Sequence, residues 1–295
     1  MRVHVLGSAA GGGSPQWNCA CPVCQAVRRE DGSAQPRRQE SLAVDAGSGW
    51  LLLNASPEIR TQIESFEELH PQPPRRTPLI GVVLTNADLD HCLGLLSLRE
   101  GTPLEVIATG AVRRAFEEEN VLCRVLDQVS WRTLALGARG AMQIGELLIE
   151  AFPAPGKPPR YLEGIRAGGV EDNVGLRVRD ARGRTLVYAP SVACPTPPLI
   201  DALSGADCVF FDGTFASSDE LMRHSSSRRS AEEMAHLPVL GPEGSVAALA
   251  GIPMGRRVYI HLNNTNPMLL EHSPERSAVI AAGWEIASDG MDFEV

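Results

Sequence analysis

The chain reads as an α/β protein in which two sheets are covered by helices, and three observations predict that class. Strand-type apolar runs and helix-capping signals alternate from one end to the other. No unit of roughly 20 to 50 residues repeats in tandem. The 295 residues, 43% hydrophobic and 21% charged, have the balance of a globular chain able to bury a sizeable core, as one large domain or two ordinary ones.

Arg2-Val3-His4-Val5-Leu6 is the first strand, and it runs into Gly7-Ser8-Ala9-Ala10-Gly11-Gly12-Gly13-Ser14. A glycine-rich loop after a strand suggests phosphate binding, but neither G-x-G-x-x-G nor a P-loop lysine is present. A loop passing close to other backbone or to a buried site is the stronger reading. Ser41 to Asp45 and Trp50 to Asn54 form a hairpin across Ala46-Gly47-Ser48-Gly49. Ser56 and Pro57 open a helix that reaches about Leu69. The proline-rich stretch His70 to Pro78 is a surface connection rather than a boundary, because the strand Gly81 to Leu84 follows at once. Then come a polar loop, Thr85 to His91, and a helix from Cys92 to Arg99.

Leu104 to Ala108 is a strand and Ala111 to Glu119 a helix capped by Thr109. Gln143 to Phe152 alternates enough for a strand. Pro153 to Gly169, the longest irregular stretch, is a candidate lid or substrate loop. Strands Val174 to Val178 and Thr185 to Ala189 flank a turn at Asp180 to Gly183. A helix at Pro198 to Leu203 precedes the buried strand Cys208-Val209-Phe210-Phe211, which ends in Asp212-Gly213-Thr214. Ser218 to Ser230 is polar and basic and is expected to be mobile. Ser230 with Glu233 forms a capping box for a helix carrying His236. After a short helix from Pro242, the strand Arg257 to Ile260 delivers His261. Ser273 and Pro274 start a last helix, with short strands near Trp284 and Phe293.

A formal net charge of −9 and a pI near 5.3 argue against nucleic acid as the main ligand. There is no signal-type start and no apolar run long enough to cross a membrane, so a cytoplasmic protein without a membrane span is expected.

Two clusters carry chemistry. Cys19, Cys21 and Cys24 follow the spacing C-x-C-x-x-C, which places three thiolates around one ion and favours a structural zinc site; His261, His272 or a carboxylate would complete it. The other cysteines, Cys92, Cys123, Cys194 and Cys208, lie in apolar surroundings and read as small core residues. The second cluster is Asp88, Asp90 and His91 at the carboxyl end of a strand. Carboxylates crowded there repel one another unless a cation or hydrogen bonds satisfy them. His261 also ends a strand, and loops beyond strand ends converge in open α/β folds. Asp90, His91 and His261 together are the two-histidine, one-carboxylate set that leaves positions open on Fe(II). The structural alternative is Asp90 as a helix cap and His261 as a satisfied core histidine.

Asn86-Ala87-Asp88-Leu89-Asp90-His91 resembles the metallo-β-lactamase superfamily signature H-x-H-x-D-H with its first two histidines replaced. More narrowly, Leu6 to Gly13, Pro15 to Cys19, Leu53 to Pro57, Leu95 to Gly101, Asp172-Asn173, His261 to Pro267 and Ser273 to Arg276 resemble the PQQ synthesis protein B family. These blocks span nearly the whole chain.

The resemblance implies an αββα sandwich of two mixed sheets flanked by helices, formed by residues 1–295 as a single domain, and a role in making pyrroloquinoline quinone (PQQ). Hydrolytic superfamily members hold a second metal with ligands whose places here hold Asn86, Asp88, Asp172 or Asn173, and Ala189-Pro190-Ser191. The resemblance therefore implies one ion, Fe(II) or another divalent metal, and oxygenation of tyrosine in a cross-linked Glu-Tyr unit derived from a precursor peptide. Other proteins of the PQQ pathway would be its partners. Asp88, Asp212 and His236 are candidates for second-sphere or proton-transfer duty, although burial with hydrogen bonds explains Asp212 and His236 as well. Arg99, Arg160 and Arg166 are candidate partners for an anionic substrate. A metallohydrolase, and a carrier that binds the quinone or its precursor without chemistry, are the competing classes.

Overall fold

The computed structural model describes residues 1–100, 103–126, 128–225 and 227–295. Gly101, the end of one resembling block, and residue 226 of the 218–230 stretch lie outside them. Strands form where apolar and β-branched residues run between turns. In chain order they are β1 (Arg2–Gly7), β2 (Ser41–Asp45), β3 (Trp50–Leu53), β4 (Leu79–Val83), β5 (Leu104–Ala108), β6 (Val129–Thr133), β7 (Met142–Ile144), β8 (Leu147–Pro153), β9 (Val174–Arg179), β10 (Thr185–Ala189), β11 (Cys208–Asp212), β12 (Arg256–Ile260), β13 (Glu285–Ile286) and β14 (Asp292–Glu294).

They pair into two seven-stranded sheets, ordered β14-β1-β2-β3-β4-β5-β6 and β13-β12-β11-β10-β9-β8-β7. Each sheet is mixed. In the first, β3, β4, β5 and β6 run parallel and the remaining pairings are antiparallel. In the second, β10, β11, β12 and β13 are the parallel set.

Successive side chains of a strand face opposite sides, so a strand apolar at every position must be covered on both faces. In β3, Leu51 and Leu53 enter the core between the sheets while Trp50 and Leu52 enter a second core outside. In β11, Cys208 and Phe210 join the same inner core while Val209 and Phe211 pack outward. Helices cover the outer faces: Ile59 and Val112 belong to the core outside the first sheet, and Leu199, Leu203 and Val279 to that outside the second. The result is the αββα sandwich of the metallo-β-lactamase fold.

Several elements depart from expectation for local reasons. The helix starting at Ser56 is shorter, Ile59–Glu64, followed by a 3-10 turn, Glu67–Leu69. Ser56 Oγ instead accepts from Glu58 N at 3.2 Å and shapes the turn before it. Cys92 to Arg99 is not one helix; an α-turn, Leu89–Cys92, leads into a 3-10 helix, Leu93–Leu98. Asp90 therefore lies inside that turn rather than capping it. Gln143 to Phe152 is a hairpin, because Gly145 at φ 55° reverses the chain between β7 and β8.

The capping box exists, with Glu233 N on Ser230 Oγ at 3.2 Å and Ser230 N on Glu233 Oε2 at 2.8 Å. It caps only one 3-10 turn, Glu232–Met234, because Ala235 turns left-handed at φ 65° and leaves His236 beyond it. Part of the 218–230 stretch is helical, Glu220–His224. Cys92, Cys123 and Cys208 are buried as expected, whereas Cys194 is exposed. Among the described residues no helix is long and apolar enough to cross a membrane.

Candidate metal centre

Both sheets aim the carboxyl ends of parallel strands at one place. β4 leads through Thr85 to Asp88 into the turn that carries Asp90 and His91, and β11 and β12 end at Asp212 and just before His261. Ligand atoms of Asp90, His91 and His261 lie within 4.8 Å of one another, and so do those of Asp212, His236 and His261. Asp90 Oδ2 is 3.2 Å from His261 Nε2 and 3.8 Å from His91 Nε2. Asn54 and His261 both adopt left-handed backbone, at φ 63° and 60°. For a residue with a β-carbon that conformation costs about 1 kcal/mol, so the surrounding structure enforces it.

The far nitrogens of the two histidines are held by matching devices. Thr214 Oγ1 donates to Asp212 Oδ1 at 2.6 Å and therefore accepts from His261 Nδ1 at 2.8 Å. At His91 the corresponding proton order runs from Nδ1 to Thr85 Oγ1 at 3.1 Å, and from that hydroxyl to Asn54 Oδ1 at 3.1 Å. The two amide hydrogens of Asn54 then serve Glu40 Oε2 and Tyr188 Oη, each at 3.1 Å. In this order Nδ1 of each ring carries a proton toward its threonine, so both Nε2 atoms, which point toward Asp90, would be free to bind an ion, as metal-ligating histidines require.

Burial alone would raise Asp90, but the charges of His91 and His261 hold its carboxyl below the usual range. Burial lowers His91. It would lower His261 as well, yet the hydrogen bond and charge of Asp90, with Asp212 and Glu40 behind, push that imidazole up. Three coupled groups stripped of water suit a bound cation. The donor set fits a divalent metal.

Asp212 is saturated: Oδ2 accepts from Val192 N at 2.8 Å and His236 Nδ1 at 2.7 Å, and Oδ1 from Thr214 N and Oγ1. The buried carboxylate on this sheet thus comes from β11, not from Ala189 to Ser191 at the end of β10. Asp88 is tied to the loop after β8: its Oδ1 accepts from Arg160 N at 3.2 Å, and burial and Asp90 push its carboxyl up to about 6. The expected second-metal places are tied up in other bonds: Asn86 Nδ2 donates to Asn173 Oδ1 at 3.0 Å, and Asp172 Oδ2 accepts from Arg166 Nη1 at 2.9 Å. Arg166 is thereby committed, and Arg99 pairs with Glu100 at 2.9 Å. The loop after β8 crosses here, pinned by Tyr161 Oη on Ala87 O at 3.0 Å. Gly11, in the glycine-rich loop, backs onto Asp90; a β-carbon there would stand 3.2 Å from Oδ2.

Cys19, Cys21 and Cys24 also converge within 4.8 Å, at the start of the helix Pro22–Arg29. Asn264 closes over them, its Nδ2 3.2 Å from Cys24 Sγ. Of the expected fourth ligands, His261 is committed to the central cluster and His272 is exposed. His224, which sequence reasoning passed over inside a polar stretch, lines the same cavity as Cys19 and Cys21. Also missed were Glu40, Asn54, Thr85 and Thr214, whose signal is spatial; only Asn54, between a strand and Ser56-Pro57, stands out in sequence.

The family model described as beta-lactamase superfamily domain matches residues 49–262. Coenzyme PQQ synthesis protein B of Methylobacterium radiotolerans is 43% identical, covering 100% of both chains. The crystal structure of Zn²⁺-bound PqqB from Methylobacterium extorquens superposes with a TM-score of 0.95 at 40% identity, again over 100% of each chain. A diphosphatase of the PhnP family, 18% identical with a TM-score of 0.72 over 100% of this chain and 98% of its own, shares the fold. On its sequence and on its architecture alike, this chain belongs to the coenzyme PQQ synthesis protein B family, within the metallo-β-lactamase superfamily.

Proposed function

We propose that the protein acts in PQQ biosynthesis as a metal-dependent oxygenase, hydroxylating the tyrosine ring of a cross-linked Glu-Tyr unit. The observation that carries this reading is the convergence of Asp90, His91 and His261 on one point while Asn86, Asp172 and Asn173 are tied up in bonds of their own. Two histidines and one carboxylate leave coordination positions open, whereas a two-metal hydrolytic clamp needs ligands on both sides. Asp90, His91 and His261 would hold Fe(II). The cysteine cluster, with His224 or a carboxylate completing it, would hold zinc. The relative described as Zn²⁺-bound supports a divalent ion in this family.

When bound, iron supplies the redox chemistry that puts one atom of O2 into an aromatic C–H bond, the other leaving as water with two electrons and two protons from a co-reductant. The chain's own groups do the rest. Thr85 and Thr214 keep the imidazoles turned, and the loop fastened by Tyr161 excludes water. Arg160, whose backbone amide bonds to Asp88, stands where a substrate carboxylate would pass, while Lys157 is paired with Glu163. His236, bonded to Asp212, is placed to move a proton at Nε2.

The test is anaerobic loading with Fe(II), followed by O2 and a tyrosine-type Glu-Tyr substrate with a reductant. Substrate-dependent O2 uptake, a product heavier by one oxygen, and loss of both iron and turnover in His91→Ala are expected. Tight binding of the quinone without O2 uptake would make the protein a carrier instead. Metal-dependent ester or phosphodiester cleavage would make it a hydrolase.

A further inference from the structure

Glu40 stands just before β2, its backbone amide bonded to Ala9 O at 2.7 Å. Its side chain is 1% exposed and reaches the central cluster. Oε2 accepts from Asn54 Nδ2 at 3.1 Å and lies 3.8 Å from His91 Nε2. Oε1 is buried too, and among the described residues it has no hydrogen-bond partner. No lysine or arginine among the described residues pairs with this carboxylate. A carboxylate withdrawn from water with one oxygen bare is among the least favourable arrangements a protein can hold, and a single amide hydrogen bond does not offset it. What it faces is the nitrogen whose lone pair is directed at the central ion.

We infer that Glu40 is a second carboxylate of the central cation site, set beside Nε2 of His91, where it compensates the charge of the ion and strengthens its binding. This rests on the assignment of Asp90, His91 and His261 to a divalent ion. With the ion in place, two neutral imidazoles and Asp90 would bring one negative charge, and Glu40, ionised beside the cation, would bring the second, making the pocket and a divalent ion neutral together. In surroundings poor in water such a balance favours divalent over monovalent cations. Asn54 then has a double task. Through Oδ1 it anchors Thr85, which holds His91, and through Nδ2 it aims Glu40 at the same ion.

The experiment is a chelator-competition titration of metal-stripped full-length protein with Zn²⁺, and anaerobically with Fe²⁺, for wild type, E40Q, E40D and H91A. Melting temperatures are recorded with and without metal. Removing such a partner lowers metal affinity about 10- to 100-fold. E40Q should show that loss at one of two sites, leaving the cysteine site unchanged, while E40D keeps most of the affinity. Metal-free E40Q should melt at or above wild type, because the bare carboxylate is gone, yet gain less on adding metal. Wild-type affinity in E40Q together with a lower metal-free melting temperature would overturn the inference and leave Glu40 as an acceptor for Asn54. If H91A itself keeps both ions, the central assignment fails; if H91A loses one and E40Q binds both normally, only the role of Glu40 fails.

Discussion

Thr214 Oγ1 sits 2.8 Å from Nδ1 of His261, close enough that the imidazole cannot turn without breaking a bond. The hydroxyl is both acceptor from the ring and donor to a buried carboxylate, so its loss also leaves that carboxylate short of one of its bonds. Thr214→Val should therefore weaken the central metal by about 10- to 100-fold, while Thr214→Ser stays within a few-fold of wild type. Competition titration with a chelator measures both, and equal affinities for the two variants would show that the hydroxyl does not orient the ring.

Gly11 tests the other side of the same pocket. Its backbone is in an ordinary conformation, so a side chain there strains nothing except the 3.2 Å approach to Asp90 Oδ2. Gly11→Ala should be tolerated with a small shift of that carboxylate. Gly11→Val should lower central-site affinity without changing the melting temperature of the metal-free protein.

Metal counting separates the two clusters. Wild type is expected to bind two ions per chain, His91→Ala and Cys21→Ala one each. Elemental analysis after desalting reads the stoichiometry; a variant pair that loses the same ion would mean the clusters are not independent.

Glu220 gives a pH signature apart from Asp90, His91 and His261. Burial pushes its carboxyl up to about 7, against the hydrogen bonds from Thr265 and from Ala216 N, each 2.6 Å long. A value raised on folding means that the folded state holds the proton more tightly. The stabilisation is full below pH 4.5 and lost as pH rises through 7. The loss is on the order of 3 kcal/mol at 1.36 kcal/mol per pH unit. Urea unfolding at pH 5 and pH 8 should show a smaller difference in Glu220→Gln than in wild type.

Tyr161→Phe removes the bonds from Oη to Ala87 O and Ala115 O that fasten the loop over the site. A cost of about 1 kcal/mol is expected. Limited proteolysis should cut between residues 155 and 169 faster than in wild type.

The sheet strands were legible where both faces are apolar. β2 and β10 have the bounds their sequences predict, and β11 differs only by including Asp212. β6 was not, because Val129-Ser130-Trp131-Arg132-Thr133 sits at a sheet edge, carries polar residues and has no continuous apolar run. The helix at His236 failed on one backbone angle, that of Ala235, which no capping signal encodes. That Asp90, His91 and His261 come together was legible because each follows a strand with little apolar neighbourhood to explain it. Glu40 and Asn54 were not, since a glutamate before one strand and an asparagine after another acquire meaning only when the sheet sets them side by side.

Asp90 and His91 hang from the first sheet and His261 from the second, so an ion held by all three would also be a clasp between the two halves of the sandwich. Every tenfold of affinity then adds about 1.4 kcal/mol against the halves parting, once the ion is in excess. A chelator would thus behave toward this protein as a mild denaturant, and the seam between the sheets would be the first place to gape.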